Sequence, residues 1–112
     1  MATSSSILER RPKRRKRVLL GGIVVSADGS HSFNCSIRDV SETGGRILLN
    51  GQQIPSQFYL IEVRDRVAHE AKVIWENEKE VGVSFENTFR LADITDPAKY
   101  FLSQLWFAQA QI

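Results

Sequence analysis

The sequence has little of several residue types that common folds and sites depend on. Cys35 is the only cysteine among 112 residues, which excludes an internal disulfide and argues against a cysteine-based zinc site. No apolar run approaches the ~20 residues that a membrane-spanning helix needs. No long apolar stretch follows the N-terminal basic residues, so we expect no secretory signal. These absences predict a cytoplasmic protein without membrane insertion or a bound metal.

The usual components of enzyme active sites are also sparse. The two histidines, His31 and His69, have no evident metal-ligand or catalytic partner in the sequence. Glu76, Glu78 and Glu80 lie in a charged turn, a pattern typical of a solvated surface. No glycine-rich phosphate loop is present. We therefore expect a binding protein and not an enzyme, with no catalytic residues and no cofactor.

The charge of the chain is unevenly distributed. Residues 1–17 hold seven basic residues and one acidic residue, a net charge of +6, whereas the remaining 95 residues carry a net charge of −4. Pro12 interrupts the basic cluster, and the like charges repel one another. We expect residues 1–8 to be disordered and residues 9–17 to form a basic arm that is flexible without its partner, which would be an anion.

The rest of the chain has the alternation of apolar and polar residues, separated by turn signals, that is typical of short strands. Phe33, Cys35 and Ile37 alternate with polar residues, the period of a half-buried strand, and Cys35 is expected to be buried there. A bend or bulge is expected at Gly21–Gly22, and Asp28–Gly29 is a turn signal. The predicted strands cover residues 18–26, 33–37, 46–49, 57–64, 67–75 and 80–85. Six short, closely spaced strands predict an antiparallel barrel or sandwich.

The C-terminal end is predicted to be helical. Asp96 is a suitable N-cap and Pro97 a suitable first residue for a helix that continues to about Gln111. Most of its aromatic residues are expected to cap the barrel. Trp106 and Phe107 are adjacent and cannot face the same way, so one of them is available for a dimer or effector contact.

Two motifs suggest a binding site for a guanine nucleotide. The basic cluster contains R-x-x-x-R spacing, and Asp39, Ser41 and Gly44 form D-x-S-x-x-G. Arginine forks match phosphates and the Hoogsteen edge of guanine, and a carboxylate matches the Watson–Crick edge. Ser41 can cap the turn or donate to the ligand, and Gly44 allows a positive φ and the approach of a flat ring. Each motif alone is more often a plain turn or a solvated basic tail.

In their order and spacing, these segments resemble the PilZ domain family, bacterial receptor modules for the second messenger cyclic di-GMP. The resemblance spans residues 9 to about 88 and includes C-S-I-R-D-V-S-E-T-G-G-R-I (residues 35–47), A-K-V-I-W (71–75) and V-G-V-S-F (81–85). It implies a six-stranded antiparallel β-barrel with a C-terminal helix. The domain would cover residues 9–112, with the ligand-binding arm at 9–17, the barrel at 18–88 and the helix at 96–111.

The resemblance also implies a ligand-binding role for particular residues. Arg11 and Arg15 match R-x-x-x-R best, Arg10 and Arg14 form a second register, and Arg10 can add a contact. Asp39, Ser41 and Gly44 would hold a guanine edge. Trp75 is either a ligand neighbour or a core residue of the barrel.

The same resemblance suggests a mechanism. The arm would order itself over cyclic di-GMP and thereby change the surface shown to an effector protein. The chain is expected to be a monomer or a weak dimer. Two alternatives stay open: a barrel whose basic arm binds nucleic acid, and a degenerate PilZ-like adaptor that binds a protein. The −4 body argues against the first alternative, and the two intact motifs argue against the second.

Overall fold

A computed structural model describes residues 16–110. The strands are β1 (Lys16–Ser26), β2 (Ser32–Val40), β3 (Gly44–Leu48), β4 (Gln57–Glu62), β5 (Val67–Glu76) and β6 (Glu80–Arg90). They close into an antiparallel barrel in the order β1-β2-β3-β6-β5-β4. The six-stranded barrel predicted from the sequence is therefore confirmed.

The barrel is filled by the apolar residues that alternate along its strands. Cys35 and Ile37 on β2 face Ile47 on β3 and Val81 and Val83 on β6, all of them buried. The period of two sends the intervening side chains to the outer face. Burial raises the pKa of the Cys35 thiol to about 12, as expected for a thiolate disfavoured by apolar surroundings.

The hairpin between β1 and β2 forms at the predicted turn. Gly29 has a φ of 78°, a conformation that glycine adopts without steric cost. Asp28 accepts hydrogen bonds from the Ser30 and Ser26 side chains and the Ser30 backbone. These bonds, those from Ser30 first, lower the pKa of Asp28 to about 2.

Several element boundaries differ from those predicted. The irregularity in β1 lies between Arg17 and Leu20, not at Gly21–Gly22, whose pairing with β2 is regular. β6 continues five residues beyond the predicted end at Phe85, because Phe89 and Arg90 still pair with β5. The charged and polar composition of residues 86–90 hid this extension, since the outer face of a strand has no apolar period to detect.

A C-terminal helix covers one side of the barrel. Asp96 caps a 3₁₀ turn at Pro97–Lys99 by accepting from the Ala98 amide, and helix α1 (Tyr100–Ala110) follows directly. The predicted cap is thus correct, but the first turn is 3₁₀ and not α-helical. A second apolar cluster between α1 and the barrel contains Ile23, Val25, Ile61, Ala68, Leu91 and Leu102.

The two neighbouring aromatic residues of α1 face in different directions, as predicted. The indole N–H of Trp106 donates to the Val63 carbonyl oxygen at 2.8 Å, whereas Phe107 is 59% exposed. Among residues 16–110, α1 is the longest helix at 11 residues, and no helix there combines the length and apolarity needed to cross a bilayer.

Candidate functional site

The strand register aligns Asp39 of the D-x-S-x-x-G motif with Trp75 in one row across the outer face of the barrel. Arg17 pairs with Asp39, Asp39 with Arg46, Arg46 with Gly82, and Gly82 with Trp75. Residues that are paired across antiparallel strands point to the same face. Strands lie about 4.8 Å apart, so about 14 Å separates the backbones of Asp39 and Trp75. We refer to Asp39, Arg46, Gly82 and Trp75 as the outer row.

Asp39 is a strand residue and not part of the predicted turn. It lies near the end of β2, where an irregularity after Ile37 brings its side chain onto the outer face opposite Arg46. The carboxylate accepts from Arg46 Nε at 2.6 Å, and Arg46 Nη2 lies 2.5 Å from the same oxygen. Asp39 is only 3% exposed. It is therefore an anchored acceptor that is already paired with a cation.

Ser41 holds the turn between β2 and β3. Its N–H and Oγ–H both donate to the Gly44 carbonyl oxygen, at 2.8 and 3.2 Å. Its Oγ accepts from the Thr43 amide at 3.2 Å. In this state the hydroxyl caps the turn, which is one of the two roles predicted for it, and the turn itself spans only Ser41–Thr43 between the strands.

Gly44 does not have the positive φ that was predicted for it. Among the glycines of residues 16–110, only Gly29 and Gly51 have positive φ, so the expectation of a positive φ at Gly44 is wrong. A methyl group at Gly44 would instead collide with the Val83 carbonyl oxygen on β6. At Gly45 a methyl group would meet the Asp39 carbonyl oxygen. Both glycines let the backbones of β2, β3 and β6 approach closely beneath the outer row.

Trp75 lies on the outer face and not in the barrel core, which eliminates one of its two predicted roles. Its indole ring occupies the space where a Gly82 side chain would be, and it stays 41% exposed. An irregularity between Val73 and Trp75 leaves Ile74 62% exposed beside it. Because Gly82 has no side chain, the indole ring of Trp75 packs against its backbone and keeps one side open to solvent.

Arg46 is the residue that the sequence interpretation missed. Besides binding Asp39, it lies 3.3 Å from Glu80 through Nη1, and Arg38 Nε lies 3.9 Å from the other Glu80 oxygen. Glu80 is thus paired, contrary to the expectation that it is simply solvated. The alternation of β3, with Ile47 inward, was the available signal. Next to this network, a groove of about 650 Å³ is lined by Arg38, Arg46, Leu48, Asn77, Glu78, Lys79 and Glu80.

The predicted arginines Arg10, Arg11, Arg14 and Arg15 lie outside the described residues. The described chain begins at Lys16, which pairs with Val40 directly before the Ser41 turn. The covalent chain therefore enters the barrel next to the second motif. This register places the start of the described chain beside the D-x-S-x-x-G motif.

A second polar cluster lies inside the barrel at this end, and the sequence interpretation did not anticipate it. His69, expected to have no evident partner, lies 2.5 Å from Glu62 through Nε2 and 2.7 Å from Thr88 Oγ1 through Nδ1. Its ring stacks on Phe85 with centroids 3.8 Å apart. Glu62 lies on β4, His69 on β5, and Thr88 and Phe85 on β6, so the pairing of these three neighbouring strands brings the cluster together.

The outer row and its neighbours Arg38 and Glu80 can offer hydrogen bonds, charge and an aromatic surface to one ligand. Arg46 and Arg38 supply guanidinium donors, Asp39 and Glu80 supply acceptors, and Trp75 supplies an open ring face. Bases stack on such rings, and guanidinium groups match phosphates and guanine edges. The two arginines and two carboxylates balance in charge, so a polyanion would need further cations from elsewhere.

A comparison with protein families identifies the kind of domain. A family model described as the PilZ domain matches residues 9–100. A crystal structure described as the PilZ domain of CeSA from a cellulose-synthesizing bacterium is similar at 13% sequence identity, with a TM-score of 0.47; the match covers 87% of this chain and 98% of that chain. A search of curated proteins finds no significant match.

Proposed function

The chain belongs to the PilZ family, and we propose that it is a receptor for cyclic di-GMP that binds the ligand between its basic arm and the outer row. PilZ domains are in general binding domains for this messenger. The observation that carries the proposal is the strand register, which aligns Asp39, Arg46, Gly82 and Trp75 in a row that starts beside the point where the arm joins β1.

The two motifs would have complementary roles. Arg11 and Arg15, with Arg10 as an additional contact, would supply forked donors to the two phosphates and to guanine edges. In the alternative register, Arg10 and Arg14 take these roles. Asp39 would accept from a guanine N1–H and amine, Ser41 would donate to the ligand or keep its turn, and Gly44 would keep the surface flat. Trp75 offers its open face to a base.

The length of the arm fits this arrangement. Arg11 is five residues before Lys16, and an extended chain spans about 3.4 Å per residue, so the Cα atom of Arg11 can lie up to about 17 Å from that of Lys16. The outer row begins at Asp39, one strand spacing from β1, and ends at Trp75, about 19 Å from the backbone of β1. The Cα atom of Arg11 can therefore reach all but the far end of a ligand held on the row. Residues 1–17 also carry the net charge of +6 that the charge-balanced row lacks.

Signal transmission would then depend on order in the arm. Closing the arm on the ligand would restrict the conformations of its residues, and this entropic cost would be met from the binding free energy. The closed arm and ligand create a new surface for an effector protein, a population-shift mechanism. We propose a cytoplasmic, non-enzymatic monomer or weak dimer that needs no cofactor for this role.

The direct test is isothermal titration with cyclic di-GMP, using GTP and a short DNA duplex as competing ligands. We expect selective binding of cyclic di-GMP that is lost in Arg15→Ala and Asp39→Ala. The matched controls are Arg90→Ala and Asp93→Ala, because these residues form an exposed pair elsewhere on the surface and remove the same charges. Arg11→Ala against Arg10→Ala and Arg14→Ala distinguishes the two registers.

Three results would overturn the proposal. Salt-sensitive DNA binding without binding of cyclic di-GMP would assign the arm to nucleic acid. No binding of any of the three ligands would indicate the protein-binding adaptor. Equal losses in the Arg90 and Asp93 controls would show that only total charge matters and that the outer row is not the site.

A further inference from the structure

The wall of the barrel is incomplete at the end that holds the hairpin between β1 and β2. Strand β2 begins at Ser32, but its pairing with β3 begins only at Ser36. Strand β3 ends at Leu48, and Asn50 has a φ of 50°, so the chain turns away before it reaches the first residues of β2. Within residues 16–110, one edge of β2 therefore has no partner strand over residues 32–34. We call this stretch the open edge.

The open edge presents backbone groups that are free to bond. The Ser26 amide donates to the His31 carbonyl oxygen, and bonding groups alternate along an antiparallel pair of strands. Phe33 therefore bonds β1, whereas the N–H and C=O groups of Ser32 and Asn34 point away from it. No backbone group within residues 16–110 bonds any of these four, and both residues are exposed. An edge of this kind is a template for a further strand.

A groove of about 900 Å³ lies along the open edge, and residues 52–55 complete its lining. In the described part of the chain, the amides of Gln53 and Ile54 have no backbone acceptor either. Apolar residues also line the groove: Val24 is buried, and Phe33 and Ile54 are half-buried against the core. The groove thus combines space, an apolar base and unpaired backbone groups from two segments, which are the features that an added strand uses.

The groove also lacks charge. None of the described residues that line it is Asp, Glu, Lys or Arg, and its polar groups are hydroxyls, amides and one imidazole. A free edge is usually protected by lysine, proline or a bulge, but Ser32, Phe33 and Asn34 supply none of these, and their pairing with β1 is regular. A charged segment would lose solvation here without gaining a counter-ion. The groove therefore favours an uncharged occupant.

We propose that this groove binds an extended, uncharged segment of a partner protein, which adds to β2 as an antiparallel strand. The central residue of the segment would pair with Phe33 and place an apolar side chain on the base of the groove, because paired residues point to the same face. The two flanking residues would exchange hydrogen bonds with Ser32 and Asn34. Residues 52–55 line the same groove, which favours a single strand over the sheet edge of a second barrel.

This docking site is separate from the outer row and does not rest on the proposed function. Asn34 lies five residues before Asp39 on β2, about 17 Å away at 3.4 Å per residue. We therefore expect Arg15→Ala, which should abolish binding of cyclic di-GMP, to leave binding at the groove unchanged. A partner segment bound without cyclic di-GMP would keep the docking site and remove the receptor, and the reverse result would keep only the receptor.

Amide hydrogen exchange in the full chain tests whether the edge is open. After each rate is divided by the rate expected for an unfolded chain, we expect Ser32 and Asn34 to exchange at least about tenfold faster than Phe33 and Cys35, whose amides bond β1. Neighbouring residues of one strand are thus their own controls. Equal protection of the two pairs would mean that the edge is already bonded, and this result would overturn the proposal.

A library of random peptides of about ten residues, displayed on phage, supplies a probe for the groove. We expect selected peptides to have an apolar residue flanked by β-branched or hydroxyl residues, without charges at these positions. Asn34→Pro removes an N–H group that β1 does not use, whereas Asn34→Thr keeps it. The synthetic peptide should bind Asn34→Pro at least about fivefold more weakly than Asn34→Thr. Equal affinities, or selection of charged peptides alone, would overturn the proposal.

Modified peptides test the same bonds in the parent protein, so the result does not depend on how Asn34→Pro folds. N-methylation at the two positions that flank the apolar residue should weaken binding at least about tenfold, and unchanged affinity would contradict strand addition. Sedimentation of the protein without peptide tests the other occupant. A dimer that Asn34→Pro dissociates and Asn34→Thr retains would assign the edge to a second copy and overturn the partner segment.

Discussion

The barrel holds carboxylates in two different surroundings, and the contrast separates a binding surface from an internal support. On the outer face, Asp39 and Glu80 share Arg46, whose side chain is 30% exposed. Inside, Glu62 bonds His69, and each side chain is less than a tenth exposed. The Asp39 side chain is itself only 4% exposed, but the Arg46 cation that joins the outer network reaches solvent and can exchange one partner for a ligand or water. A buried pair that loses one member leaves an unsatisfied group in a low dielectric.

The largest effect is expected when the interior pair is broken. We expect His69→Ala to lower the free energy of unfolding by about 3–5 kcal/mol, because Glu62 loses its partner inside the barrel and Phe85 loses a stacked ring. Urea denaturation measures this change. His31→Ala is the control, since His31 is exposed and, among the described residues, its ring bonds only Ser30; this variant should stay within about 0.5 kcal/mol of the parent. Similar losses in both variants would show that the buried pair contributes no special stability.

A second prediction concerns the close backbone packing beneath the outer row. Gly44→Ala should cost about 1–3 kcal/mol, because the new methyl group forces β3 away from Val83 on β6. Gly21→Ala is a matched control, since a methyl group there meets no atom within 4 Å, and it should change stability by at most about 0.5 kcal/mol. Thermal unfolding of both variants provides the measurement. An equal response would mean that the outer face tolerates strand displacement.

The strands were predictable because their signals are local. Alternation at Phe33, Cys35 and Ile37 and the turn at Asp28–Gly29 each involve a few neighbouring residues. These signals left an antiparallel barrel or sandwich open, and the resemblance to the PilZ family implied the barrel. The boundaries were less predictable. Gly44 resembles a turn glycine in sequence, but its requirement comes from a carbonyl on β6, about forty residues away, and only the closed barrel reveals it.

For the candidate site, too, residues within one local motif were predictable, whereas residues with distant partners were not. Asp39, Ser41 and Gly44 were found because they lie within one motif, and the register aligns Asp39 with Trp75. Arg46 and the Glu62–His69 pair were missed because their partners are distant in the chain: Arg46 meets Glu80, and His69 meets Thr88. Cross-strand pairs of this kind follow from the strand order, which no local pattern specifies.

Alkaline pH provides a way to sharpen the contrast, since it tests how strongly the interior disfavours an unpaired charge. The folded pKa of Cys35, about 12, is above its ordinary value of 9.0. The stability that this shift contributes is fully present below pH 9 and is lost as the pH rises toward 12, because the unfolded thiol ionises first. By pH 10 we expect a loss of about 1.4 kcal/mol from this group.

Comparison of the chain with Cys35→Ala isolates that contribution from other alkaline titrations. The variant is expected to be less stable at pH 7 and to show a shallower decline between pH 9 and pH 11 in urea denaturation. The thiol of the parent should also resist alkylation at pH 8 until the protein unfolds. Parallel pH profiles for the two proteins would contradict the idea that the interior excludes charge at this position.

The smallest effect is expected for Arg46→Lys on the outer face. The Nε and Nη2 groups of Arg46 both contact Asp39 while Nη1 reaches Glu80, and lysine keeps the charge but cannot form this fork. We expect stability to fall by less than about 1 kcal/mol, and affinity for cyclic di-GMP to fall about threefold to tenfold, roughly 1 kcal/mol. Calorimetric titration and urea denaturation on the same samples give both values, with Arg90→Lys as the control. Unchanged affinity for cyclic di-GMP would limit Arg46 to orienting Asp39. A loss of stability as large as that of His69→Ala would mean that the outer network is as rigid as the interior pair and cannot exchange a partner for a ligand.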